Sequence, residues 1–160
     1  MLANENNAEA LSWYKKALEE LGTTEIVGGE HNERIVEYHA TTSLHADTDE
    51  VPWCSSFVNW CMEQVGIKGT GSAAARSWLK WGMRIEEPRT GCLVVLKRGD
   101  NPRSGHVGFF VESVNHGKHI NIVGGNQSNM VKLATYPAED VLAYVWPKGS
   151  EKRKTFGSKV

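Results

Sequence analysis

Val51-Pro52-Trp53-Cys54-Ser55-Ser56-Phe57-Val58-Asn59-Trp60 sets a cysteine at the opening turn of a helix. Phe57, Cys61 and Val65 recur at i, i+4 and i+8, Gly66 closes the run and Pro52 stands just ahead of it. This spacing predicts a buried helix starting at Cys54. The first N–H groups of a helix lack intrahelical partners and carry the positive end of its dipole, so a thiolate there is stabilised and the thiol pKa falls. Cys54 therefore reads as a nucleophile. Cys61, on the apolar stripe, and Cys92, at the start of a strand, read as core.

Two later segments supply what a nucleophilic thiol needs. Ser104-Gly105-His106-Val107-Gly108-Phe109-Phe110-Val111 reads as a buried strand with a histidine near its start, and the glycines beside His106 allow close backbone approach and an accessible imidazole. Ile120-Asn121-Ile122-Val123-Gly124-Gly125-Asn126-Gln127 is a second apolar run that delivers Asn126 in a turn just past two glycines. Cysteine, histidine and then an amide is the order of a papain-like site, in which the base takes the thiol proton and a third group fixes its tautomer. The expected catalytic set is Cys54, His106 and Asn126, with Gln127 and Asn129 as alternatives for the third place.

The chain resembles the NlpC/P60 and CHAP superfamily of bacterial and phage cell-wall hydrolases over about Trp13 to Pro147. Three motifs carry the resemblance: Pro52-Trp53-Cys54 opening a helix, Gly105-His106-Val107-Gly108 on a strand, and Gly124-Gly125-Asn126-Gln127. Gly71 to Trp78 occupies the place of a substrate-lining segment, and Pro88 to Leu96 resembles a strand led by Pro-Gly-Asp. The resemblance implies an α+β, papain-like NlpC/P60 fold, with N-terminal helices packed on an antiparallel sheet of five or six strands. It also implies hydrolysis of an amide in or next to the peptidoglycan stem peptide, as an endopeptidase or N-acetylmuramoyl-L-alanine amidase. Ser72, Arg76 and Trp53 are the implied substrate contacts, Arg76 because a guanidinium suits stem-peptide carboxylates. The pattern departs from the superfamily in three ways. Tyr-x-Trp-Gly-Gly and Asp-Cys-Ser elements are absent, Cys92 stands where aspartate is usual, and Gly124 stands where a glutamate precedes the CHAP asparagine.

Composition agrees with one compact unit: 160 residues, 40% of them hydrophobic, suffice for a sizeable core. The expected organisation is a single cysteine hydrolase domain over 1–147 and a basic, disordered tail over 148–160. The net charge of −1 hides an asymmetry, because residues 1–52 carry eleven acidic and three basic side chains, a net −8, leaving +7 for the rest. The acidic half reads as a solvated helical face. Elsewhere, Leu11, Tyr14, Leu18 and Leu21 form a helical stripe over Glu9–Leu21, and a second helix is expected over Asn32–Tyr38 and a third over Ala73–Trp81. Short β runs follow at Leu93–Leu96, Val107–Val111, His119–Val123, Lys132–Tyr136 and Val141–Trp146.

No cofactor or metal is expected. His116 and His119 lack a third ligand, and Asp47, Asp49 and Glu50 lack the spacing of a calcium loop. No basic motif points to nucleic acid, and no apolar run reaches membrane-spanning length. The N-terminus has neither a basic nor an apolar signal region, so synthesis in the cytoplasm without a signal peptide is expected. Action on the wall or in the periplasm then requires delivery by a holin or secretion system, with a cognate immunity protein as a further partner. Three cysteines, an odd number, suit free thiols. Two other readings remain open: a cysteine amidase or transamidase acting on a protein, and a non-catalytic wall-binding or virion module.

Overall fold

The computed structural model describes residues 12–26, 32–43 and 52–147; Glu9 to Leu11, the Asp47–Asp49–Glu50 cluster and the 148–160 tail lie outside them. Helices come first: α1 (12–19), α2 (Glu33–His39) and α3 (Cys54–Gln64), followed by a 3-10 turn at Ala75–Lys80. Next come β1 (Met83–Ile85), β2 (Leu93–Lys97), β3 (Gly105–Val114), β4 (His119–Gln127), β5 (Met130–Pro137) and β6 (Val141–Trp146). All pair antiparallel in one six-stranded sheet of order β1-β6-β2-β3-β4-β5. Helices followed by such a sheet make this an α+β protein, as the sequence predicts.

The details differ in instructive ways. On α1 the buried side chains are Trp13, Tyr14 and Ala17, while Leu18 and Leu21 of the expected stripe are exposed. Tryptophan decides the face, because Trp13 donates its indole N–H to Gly91 O (2.7 Å) and meets Trp146 edge-on at 5.4 Å. The expected helix around Trp78 is a 3-10 turn, in which Trp78 and Trp81 still pack edge to face at 4.7 Å. β1 has three residues and no sequence signal. The Gly124–Gln127 stretch, expected as a turn, is the end of β4.

Leu93, Val94, Val95 and Leu96 are all buried, so β2 is covered on both faces, as a central strand must be. Tyr38 of α2 joins the helices by packing on Trp53, Phe57 and Trp60 at 5.8, 5.1 and 5.3 Å. Its hydroxyl donates to Glu20 Oε1 (2.7 Å). Residues 22–25 run along the start of β5: Gly22 N–H donates to Val131 O, Val131 N–H to Thr23 O and Glu25 N–H to Asn129 O. This pairing shields part of an edge strand.

Candidate active site

Cys54 is the first residue of α3, with Trp53 as its N-cap and no side chain capping the first turn. Gly66, at φ 78°, lies just past the C-terminal end, as the sequence predicts. α3 is bound to its surroundings by its polar residues. Ser55 Oγ donates to Ser72 O (2.7 Å) and accepts from Trp78 Nε1 (2.8 Å), and Ser56 Oγ lies 2.9 Å from His39 Nδ1. Asn59 donates to Ser55 O and Ser72 O and accepts from Gly71 N–H. α3 also passes so close to β4 that a Cβ on Gly125 would lie 2.7 Å from the Trp53 ring and 2.8 Å from Phe57 Cβ.

His106 is the second residue of β3 and is 2% exposed, not accessible as its glycine neighbours suggested. Its Nε2 lies 2.8 Å from Gln127 Oε1. The tautomer follows from the amide's other bonds. Gln127 Nε2 donates to Lys132 O (2.6 Å) and Ile122 O (3.3 Å), so Oε1 must face the ring, Nε2 of the imidazole carries the hydrogen, and Nδ1 holds the lone pair. That Nδ1 is buried without a nitrogen or oxygen partner. The partner left for this base is the Cys54 thiol, which hydrogen-bonds the imidazole.

The thiol faces that base. Burial alone would raise the Cys54 pKa, but interaction with the His106 imidazole, the Val107 backbone N–H and the Arg98 guanidinium outweighs it and holds the thiol below its ordinary range. Cys61 and Cys92 behave in the opposite way: burial pushes Cys61 well up and Cys92 up to about 12. Both are packing residues, as the sequence predicts. Among the described residues, no group of three or more His, Cys, Asp or Glu is arranged to hold a metal.

The amide that meets the imidazole is that of Gln127, one residue past the expected Asn126 and one of the alternatives the sequence offers for the third place. Continuing the β3–β4 pairing of Phe109 with Val123 and Phe110 with Ile122 sets Gly108 against Gly124 and His106 against position 126. The close approach of the two glycines agrees, since a Cβ on Gly108 would lie 3.4 Å from Gly124 Cα. Between Gly124 and Gln127, however, the β4–β5 register slips by one, with Asn126 at φ 58°. This bulge inserts one residue, so the amide that reaches His106 belongs to Gln127.

Of the implied substrate contacts, Trp53 needs revision. Trp53 is fully buried, with its ring on Tyr38 and its indole N–H donated to Glu25 Oε1 (2.7 Å), so it is core and lines no surface. Arg76 Nε donates to Ser104 O (2.7 Å) and an amino group to Asn101 O (3.4 Å), which pins the loop leading into His106. Ser72 Oγ accepts from Ala74 N–H (3.1 Å), a local turn bond, while its carbonyl anchors α3. Sequence reading missed Tyr136, whose hydroxyl donates to Gln127 Oε1 (3.1 Å), and Arg98. Only the β-run around Tyr136 and the lysine-arginine pair ending β2 could have hinted at them.

The CHAP domain family matches residues 46–126, which include Cys54, His106 and Asn126. The chain belongs to the CHAP domain family. CHAP domains form a family of peptidoglycan hydrolases. The fold is similar to that of the endolysin LysIME-EF1, with a TM-score of 0.57 and 13% identity over 86% of this chain and 63% of that one. This CHAP chain thus spans less than two thirds of that endolysin. It is also similar to the P60 domain of an antigen from M. avium subspecies paratuberculosis, with a TM-score of 0.54 and 14% identity over 88% of this chain and 95% of that one. No curated protein matches the sequence.

Proposed function

We propose that this CHAP domain cleaves an amide bond in or next to the peptidoglycan stem peptide, as an endopeptidase or N-acetylmuramoyl-L-alanine amidase. The carrying observation is the junction of a low-pKa thiol at the first turn of α3 with an imidazole whose Nε2 is committed to Gln127. His106 Nδ1 takes the Cys54 proton and the thiolate attacks the amide carbonyl. The uncapped N–H groups of the α3 first turn are placed to bind the oxyanion. Collapse breaks the C–N bond while the imidazolium returns its proton to the leaving amine. Water, deprotonated by the same nitrogen, then hydrolyses the thioester. Gln127 holds the ring in the required tautomer throughout.

The test is digestion of purified sacculi with mass spectrometry of the released products. New amine and carboxyl ends at one stem-peptide or lactyl amide support the proposal and name the bond. Sacculi left intact by the wild-type protein, under conditions where Cys54 alkylates rapidly, would refute the substrate assignment.

A further inference from the structure

Tyr136 of β5 meets both halves of the imidazole–amide pair. Its hydroxyl is the second donor on Gln127 Oε1, at 3.1 Å, so the two amide hydrogens and both oxygen lone pairs of Gln127 are all engaged. Its ring packs against the imidazole in a tilted arrangement, with centroids 5.2 Å apart and planes inclined by 30°. An aromatic face discriminates between the two charge states of such a neighbour: a neutral imidazole gains only contact, whereas an imidazolium within about 6 Å gains attraction to the ring quadrupole.

We propose that Tyr136 is a positioning residue whose ring face favours the thiolate–imidazolium form of Cys54 and His106 over the neutral form. This inference rests on reading those residues as nucleophile and base. The hydroxyl orients Gln127, and the face stabilises the charge that appears when the proton moves. Among the described residues, the titratable or charged groups that act on Cys54 at the head of α3 are His106 and Arg98, just past β2, and those that act on Tyr136 are Arg98 and Cys54. Lys132 meets Gln127 through its backbone oxygen. Among the described residues, no carboxylate bears on Cys54 or Tyr136. Burial, opposed by Arg98 and reinforced by Cys54, pushes the Tyr136 phenol up to about 12, so it remains a donor throughout the working range.

The test follows Cys54 alkylation by iodoacetamide against pH, read by peptide mass, in the wild type and in Tyr136→Phe, Tyr136→Leu and Tyr136→Met. Leu and Met remove the π face, and using both guards against one failing to fold. Near neutral pH, where the ion pair competes with the neutral thiol and imidazole, each should react up to roughly tenfold more slowly than wild type. The acid limb, on which the thiol titrates beside an imidazolium in every variant, should not rise, and the alkaline rate, carried by thiolate beside neutral imidazole, should be unchanged. Phe keeps the face and should restore the wild-type rate near neutral pH. Looser packing alone would not lower the neutral rate while leaving the alkaline rate intact. Wild-type rates near neutral pH in Leu and Met overturn the inference, as does a Phe rate lowered as far as that of Leu. An ordinary thiol profile in the wild type overturns the nucleophile–base reading and this inference with it, whereas a raised wild-type rate near neutral pH that Leu and Met leave unmoved overturns the inference alone.

Discussion

His106 Nε2 and Gln127 Oε1 lie 2.8 Å apart on neighbouring strands, in contact only because Asn126 between them and the regular register takes up one residue in a left-handed turn. The contact is therefore a property of the backbone as much as of the side chains.

Substitutions at these two neighbouring positions should separate their effects. Gln127→Ala removes the group that fixes the imidazole and should lower turnover by on the order of tenfold to a thousandfold, with Cys54→Ala inactive. Asn126→Gly suits φ 58° and should leave both stability and rate near wild type. Asn126→Val opposes that conformation and should cost about 1–2 kcal/mol of stability. Turnover on defined muropeptides and urea unfolding read the two effects. Loss of rate in Asn126→Gly with a normal Gln127→Ala would reverse the assignment.

Thiol labelling should be selective. The Cys54 pKa is held down while those of Cys61 and Cys92 are raised, so Cys54 carries the largest thiolate fraction of the three. Peptide mapping after brief alkylation of the native protein should find Cys54 modified first, with activity lost in parallel. Early labelling of Cys92 with activity intact would contradict the site.

Gly108→Ala should be among the most damaging small substitutions. A Cβ there would lie 2.4 Å from Ile122 Cγ2 and 3.0 Å from Val123 O, and the second of these is backbone that cannot rotate away. Separating β3 from β4 should cost about 1–3 kcal/mol and disturb the His106–Gln127 contact as well. Thermal unfolding and the Cys54 alkylation rate should therefore fall together. A variant of wild-type stability would mean that the strands yield more easily than this spacing allows.

Stability should decline above the ordinary thiol range. Cys61 and Cys92 stay protonated in the fold, while in the unfolded chain both ionise near their usual values, so between those values and the raised ones the native state binds more protons. Each group then removes up to about 1.4 kcal/mol per pH unit, and the stability present below the unfolded thiol pKa is lost as pH rises toward about 12 for Cys92. Urea midpoints between about pH 8 and pH 10 should fall, less steeply in Cys92→Ala. An equal slope in that variant would remove Cys92 from the account.

The helix beginning at Cys54, the strand carrying His106 and the β run at Val141–Trp146 were legible because each depends on local composition and spacing. The amide that meets His106 was legible only as one of three, Asn126 with Gln127 and Asn129 as alternatives. A one-residue slip between β4 and β5 leaves no mark in composition, and all three candidates are amides. Trp53 beside the nucleophile looked like a surface contact, yet its burial follows from Tyr38, Gly125 and Glu25, which are distant in sequence. Of the stripe expected on α1, Tyr14 is buried but Leu18 and Leu21 are exposed, because the face is turned toward Trp13, whose partners Gly91 and Trp146 lie far down the chain. Local pattern carried the elements, and long-range packing chose which side chains meet.

The last strand among the described residues is not at the margin of the sheet. β6 lies between β1 and β2, pairing Leu93 with Val145. Cys54, His106 and Gln127 have all been synthesised before Val141 appears, yet until then β2, against which the strand of His106 rests, has only one of its two neighbours. Closure across so much intervening chain comes late in folding. Assembly of the thiol with its base is thus coupled to the completion of translation through Trp146, and a ribosome-bound chain stopped short of β6 carries the chemistry without the frame that aligns it.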